Sequence, residues 1–177
     1  PYTTLFRSMP INGFNKTTLL DYPGKIASTI FLGGCNFRCP FCQNGSLVLS
    51  PNKQPVISTE EVLSVLKKRQ GILEGVCITG GEPTSDKDLF LLIDKIKELG
   101  YPVKLDTNGS HPWILKKLVN NQMIDMVAMD IKSSKESYAK VSGCKNIDLT
   151  PICESVEFLL SNVIPYEFRT TVVRELH

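Results

Sequence analysis

Short apolar, β-branched runs alternate along this chain with stretches of helical periodicity, and that alternation leaves few folds open to it. Ile26–Leu32 reads as a strand. Ser58, with Glu61 three residues on, forms a capping box ahead of a helical pattern whose apolar face is Val62, Val65 and Leu66. Val76–Thr79 reads as a second strand. Asp86 opens a second helix, with Leu89, Leu92, Ile93 and Ile96 on one side and Gly100 as its stop signal. Val103–Asp106 is strand, His111–Val119 helix, Met126–Asp130 strand, Pro151–Leu160 helix and Glu167–Val173 a fifth strand. Strands separated by helices pair in parallel through right-handed crossovers. A doubly wound sheet and a partial (β/α) barrel both satisfy that order.

The bulk properties narrow the class. A chain of 177 residues is about one domain. Its net charge of +2 gives no footprint for a nucleic-acid backbone. Lys67, Lys68 and Arg69, like Lys116 and Lys117, fall near the ends of helical patterns, where cations suit the helix dipole. No apolar run approaches the ~20 residues that span a bilayer, and no signal peptide is visible, so the expected location is the cytoplasm. Clustered cysteines there point to metal or redox chemistry rather than structural disulfides. The segment Pro1–Ser8, PYTTLFRS, resembles a translated sequencing adaptor and is set aside as non-native, leaving residues 9–177 as one domain. Because the chain stops at His177 just after a strand-like run, the expectation is a fold cut short after its fifth strand.

Cys35, Cys39 and Cys42 are spaced as C-x3-C-x2-C, directly after the first strand and Gly33-Gly34. Thiolates are the ligands of iron–sulfur clusters. Three of them can hold three irons of a cubane and leave the fourth iron open. Zinc would want a fourth Cys or His at paired spacing, and His111, His177, Cys77, Cys144 and Cys153 supply no such pair. Three unrelated buried cysteines are the remaining alternative. Spacing alone favours iron–sulfur and leaves the other two readings open. Cys77, in an apolar strand, and Cys153, on a helix, read as inert, and Cys144 as a loop residue.

The other unusual polar groups fall at successive strand ends. Thr79-Gly80-Gly81-Glu82-Pro83 ends the second strand, Asp106-Thr107-Asn108-Gly109 the third, and Asp130-Ile131-Lys132 the fourth. Arg169 lies inside the fifth. Singly these are weak, since each of the first three reads equally well as a turn or a surface pair. Arg169 is harder to set aside, because an arginine in an apolar strand must face an anion. In a (β/α) barrel the C-terminal edge of the strands is the active-site face, and all these groups converge there.

With these motifs assembled, the sequence resembles the radical S-adenosylmethionine superfamily over roughly residues 12–176. The Cys35–Cys42 segment, with the aromatic Phe41 before its last cysteine, matches the superfamily's cluster signature, and Gly80–Pro83 its GGEP motif. The stretch Thr18–Lys25, then Cys-Pro-Phe-Cys-Gln-Asn, Asp-Thr-Asn-Gly and Asp-Ile-Lys in that order, resembles the activating enzymes of glycyl radical enzymes. Within them it is most similar to the activating proteins of anaerobic ribonucleoside-triphosphate reductase. The resemblance implies a partial (β/α)6 barrel, of which five units are present. It implies a [4Fe-4S] cluster on Cys35, Cys39 and Cys42, with the amino and carboxylate groups of S-adenosylmethionine on the open iron. Gly80, Gly81 and Glu82 would line the methionine amino end, Asp130 and Lys132 would meet the ribose and carboxylate, Arg169 would add charge against that carboxylate, and Phe41 would pack near the adenine. Thr107 counts among the cofactor contacts, and Asp106 with Asp130 would also suit a monovalent cation. The implied partners are a glycyl radical enzyme and a flavodoxin- or ferredoxin-like electron donor, with no nucleic acid and no membrane. Gln43 departs from the histidine that many relatives carry after the third cysteine. Two other readings stay open: a radical enzyme with a small-molecule substrate, and a non-catalytic electron-transfer or zinc module.

Overall fold

A computed structural model describes residues 11–177, so the expectation about residues 1–8 lies outside the described residues. Among the described residues six strands form one sheet in the order in which they occur in the chain: β1 (Ile11–Thr18), β2 (Ala27–Leu32), β3 (Gly75–Gly80), β4 (Val103–Thr107), β5 (Met126–Asp130) and β6 (Tyr166–Arg169). The pairs from β2 to β6 are all parallel. A doubly wound sheet reverses its strand order at a switch point. This one never reverses, so the winding is that of a partial barrel.

The five parallel strands are those the sequence predicts, with small shifts of boundary. β6 ends at Arg169 rather than Val173. The sixth strand, β1, is a correction to the expected count of five. It pairs antiparallel to β2, with Phe14 opposite Ile30 and Asn15 opposite Thr29. Two register irregularities interrupt it, so its sequence lacks the steady alternation by which a strand is recognised.

The connecting helices are α1 (Gly45–Leu49), α2 (Thr59–Lys68), α3 (Leu89–Glu98), α4 (Pro112–Asn120), α5 (Tyr138–Ser142) and α6 (Thr150–Leu160). Ser58 caps α2 as expected, its hydroxyl accepting from the Glu61 N–H at 3.1 Å. The expected helix start at Asp86 is corrected to Leu89. Asp86 instead accepts from the Asp88 N–H in a local turn, because Pro83–Ser85 already forms a separate single turn. No helix among the described residues is long and apolar enough to cross a membrane.

Strand periodicity sorts the side chains into two unlike faces. Ile30, Ile78, Leu105 and Val127 are register partners across β2–β5, all fully buried beneath the helices. Leu89, Leu92, Ile93 and Ile96 of α3 join the same core. The opposite face carries Thr29, Cys77 and Lys104 in one row, then Thr79, Asp106, Ala128 and Glu167 along the strands toward their C-terminal ends. The aliphatic face holds the fold together, and the polar face is left for chemistry.

Truncating Leu105 to Ala removes a side chain from the centre of the aliphatic face and is expected to cost about 3 kcal/mol by urea unfolding. Leu91, on the outer side of α3 and 42% exposed, should cost within about 0.5 kcal/mol when changed to Ala.

Candidate active site

The parallel strands end on a common edge, and there the polar face opens into a cavity of about 380 Å³. That size falls in the range of roughly 300–1,000 Å³ typical of small-ligand sites. Cys35, Cys39, Phe41, Cys42, Gly80, Gly81, Glu82, Asp106, Thr107, Asp130, Lys132 and Arg169 all line it. One wall carries thiols, the floor carries glycine backbone and the far wall carries charge.

The thiol wall is a loop fixed at several points. Phe37 is buried and meets Tyr138 edge to face, with ring centroids 6.4 Å apart. The Arg38 N–H donates to the Ser142 carbonyl at 2.8 Å, and the Gly34 N–H to the Leu47 carbonyl at 2.9 Å. Cys144 is half-buried behind the loop, its Sγ 3.5 Å from the Asn36 carbonyl. Among the described residues no group of three His, Cys, Asp or Glu side chains could hold a single metal ion. His111 is turned toward Thr84, with Nδ1 2.8 Å from its hydroxyl. Three soft donors on one loop without a fourth protein ligand suit a polynuclear iron–sulfur group better than tetrahedral zinc. Burial pushes the Cys35 thiol up to about 11, opposed by the Phe37 N–H. It also raises the Cys39 thiol, here opposed by the Lys132 charge. Loading metal therefore has to displace protons from these thiols.

Glycine is required on the floor. A Cβ at Gly81 would lie 1.7 Å from the Gly34 carbonyl oxygen, so the two glycine pairs cross in backbone contact. Gly80 has φ +119, and a Cβ there would lie 2.2 Å from the Leu32 carbonyl oxygen. The N–H groups of Gly81 and Glu82 are tied to the Leu32 and Gly34 carbonyls, each at 2.8 Å. What this turn can offer an amino group is carbonyl oxygen, which is what an ammonium needs.

Glu82 is 2% exposed, and its carboxylate accepts four hydrogen bonds. They come from the Thr84 N–H at 3.0 Å, the Thr84 hydroxyl, the Thr107 hydroxyl at 2.8 Å and the Asn108 N–H at 2.7 Å. The side chain thus pins the turn after β3 to the turn after β4. Burial pushes its carboxyl up, and the bonds from Thr84, Asn108 and Thr107 oppose that. Thr107 lines the cavity with its hydroxyl engaged by Glu82 and by the Gly109 N–H.

The charged wall is a lattice. Lys104, 1% exposed on β4, contacts Asp106 at 2.6 Å and Glu167 at 3.5 Å. Arg169 joins Asp106 and Asp130, each at 3.3 Å, and Lys132 pairs with Asp130 at 2.8 Å. Arg169 therefore does face anions. Burial works against its charge, but Asp106 and Asp130 outweigh that and hold its pKa above the ordinary value. Between them Asp106 and Asp130 already have a cation, and a monovalent ion there would compete with the guanidinium. Burial and the neighbouring Asp106 push the Cys77 thiol far up, which keeps it protonated.

Sequence reasoning missed several residues of the site. Lys104, behind the cavity wall, reads as one lysine in a strand, and only the pairing of β4 with β5 and of β5 with β6 brings it near Glu167. Asn108 stands inside Asp-Thr-Asn-Gly, a motif whose sequence assigns it no contact of its own. Its amide reaches Asn36 Oδ1 at 2.9 Å and lies 3.9 Å from Cys35 Sγ. Asn44 Nδ2 donates to the Gly80 carbonyl at 2.9 Å, which ties α1 to the floor.

Replacing Glu82 by Gln turns one acceptor oxygen into a donor facing other donors, inside a buried site. We expect a loss of about 3 kcal/mol of stability in chemical denaturation, with a larger fraction of reactive thiol at Cys35 as the loop loosens.

The sequence model of the Radical SAM superfamily matches residues 29–176 of this chain. A Methanocaldococcus jannaschii protein that carries the provisional name glycyl-radical enzyme activating enzyme is 34% identical over 92% of this chain and 68% of its own length. A Thermococcus kodakarensis protein provisionally named GTP 3′,8-cyclase is 29% identical over 81% of this chain and 46% of its own length. The chain thus spans two thirds of the first relative and less than half of the second. Among solved structures, QueE from Escherichia coli superposes with a TM-score of 0.53 at 18% identity, covering 93% of this chain and 95% of QueE. The thiol wall, the crossed glycines and the lattice of charge are one site, and the chain that builds them belongs to the radical S-adenosylmethionine superfamily.

Proposed function

We propose that this chain activates a glycyl radical enzyme, and that its partner is an anaerobic ribonucleoside-triphosphate reductase. The observation that carries the activating role is the 34% identity, across 92% of the chain, to a relative named as a glycyl-radical enzyme activating enzyme, while the choice of the reductase rests on the sequence resemblance alone. The site's chemistry is in keeping with it. Cys35, Cys39 and Cys42 would hold a [4Fe-4S] cluster, and the cavity beside them would hold S-adenosylmethionine. When bound, these two groups supply a radical strong enough to take hydrogen from an unactivated carbon.

The chain's own residues bind, orient and shield. On the far wall the charged groups that line the cavity are two cations, Lys132 and Arg169, against two anions, Asp106 and Asp130, with Lys104 and Glu167 bracing them from behind. A wall of balanced charge suits a zwitterionic amino-acid end better than a simple anion. Carbonyl oxygen of the Gly80-Gly81 turn would receive the amino group, while Lys132 and Arg169 meet the carboxylate. Asp130 would accept from ribose hydroxyls, and Phe41 would cover the adenine. The cavity opens at the sheet edge, which lets a glycine-bearing loop of the partner approach.

A second reading keeps the radical chemistry and changes the substrate to a small molecule. The relative named GTP 3′,8-cyclase favours it, at lower identity and coverage.

Anaerobic reconstitution of the protein should give the brown colour of an iron–sulfur cluster, and Cys35→Ala should abolish it. Incubation with S-adenosylmethionine, a one-electron reductant and the reductase should then produce a glycyl radical by electron paramagnetic resonance. Radical-dependent turnover of a nucleotide, with no glycyl radical on the reductase, would select the small-molecule reading.

A further inference from the structure

We infer that Asn108 is a positioning residue for the cysteine site, donating its side-chain amide to the Cys35 sulfur and so raising the potential at which a cluster held there accepts an electron. This rests on the iron–sulfur reading above.

The orientation of the Asn108 amide follows from its partners. The Ser110 N–H, which can only donate, lies 3.0 Å from Oδ1, and the Ser110 hydroxyl lies 2.6 Å from the same oxygen. The oxygen is therefore on the Ser110 side, and the nitrogen faces the cysteine loop. One amide hydrogen goes to Asn36 Oδ1 at 2.9 Å. The other has the Cys35 sulfur, 3.9 Å from Nδ2, as its acceptor. Asn108 is 5% exposed, so that hydrogen has little access to water in place of the sulfur.

The residue is also held from behind. Its N–H donates to Glu82 at 2.7 Å, and Asn36 closes a ring by donating to the Ser110 hydroxyl at 2.8 Å. Asn108 can neither swing away nor flip. The Phe37 N–H, 3.3 Å from the same sulfur, is a second donor. Donors aimed at a ligand sulfur stabilise the more electron-rich state of a cluster, so its reduction potential rises with each.

The test is an anaerobic redox titration of the reconstituted protein, followed by electron paramagnetic resonance. Three variants are compared: Asn108→Ala, Asn108→Ser and Asn36→Ala. Serine keeps a hydroxyl for the turn but cannot reach the sulfur, so it serves if alanine does not fold. Asn36→Ala opens the ring but keeps the Ser110 and Glu82 bonds that aim the Asn108 amide at the sulfur. The inference expects a more negative midpoint potential for both Asn108 variants at parental cluster content, with Asn36→Ala close to the parent. It is overturned if the Asn108 variants keep the parental potential, or if Asn36→Ala shifts as far as they do, since the effect would then be loop looseness. A parent protein that takes up no cluster at all would instead remove the reading of the three cysteines on which the inference stands.

Discussion

The buried carboxylate of Glu82 is the interaction on which the site depends. An ionised side chain with 2% exposure is costly unless its lone pairs are met. Here they are met by two neighbouring turns, one after β3 and one after β4. Those turns carry the crossed glycines on one side and Thr107-Asn108 on the other. Removing the carboxylate would leave several buried donors without a partner, and the strand ends would lose their common register. The cysteine loop is anchored to the same pair of turns, through the Glu82 N–H on the Gly34 carbonyl and through Asn108 on Asn36.

A second consequence follows from the division of the sheet into two faces. The helices cover the aliphatic face, which leaves the inner face free of any duty to exclude water. It can therefore carry Lys104, Asp106, Glu167, Asp130 and Arg169 close together. The cost of burying Lys104 is offset by two carboxylates, and Asp106 is in turn shared with Arg169. Charge is passed up the wall from the strand interior to the rim, ending on Lys132 beside the thiols. The pocket is polar because the core lies elsewhere.

Much of this could be read from the residues. The strand–helix alternation gave the parallel units, and placing each odd polar group at a strand end gave the rim, because side-chain periodicity and strand direction are local properties. What stayed hidden depended on non-local register. Lys104 is indistinguishable from a surface lysine until β6 pairs with β5 and sets Glu167 near it. Asn108 looks like any turn asparagine until the cysteine loop folds back over it. β1 is illegible in the sequence because its register irregularities break the alternation and its partner strand lies across a loop. α1 and α5, of five residues each, are shorter than the repeat by which a helix is recognised.

If the thiol wall and the charged wall serve one cofactor pair, the fate of S-adenosylmethionine with the anaerobically reconstituted, chemically reduced protein shows it most directly. The expected products are 5′-deoxyadenosine and methionine in equal amounts, lost in Cys35→Ala. A protein that carries a full complement of reducible cluster and yet leaves S-adenosylmethionine intact would contradict that shared site.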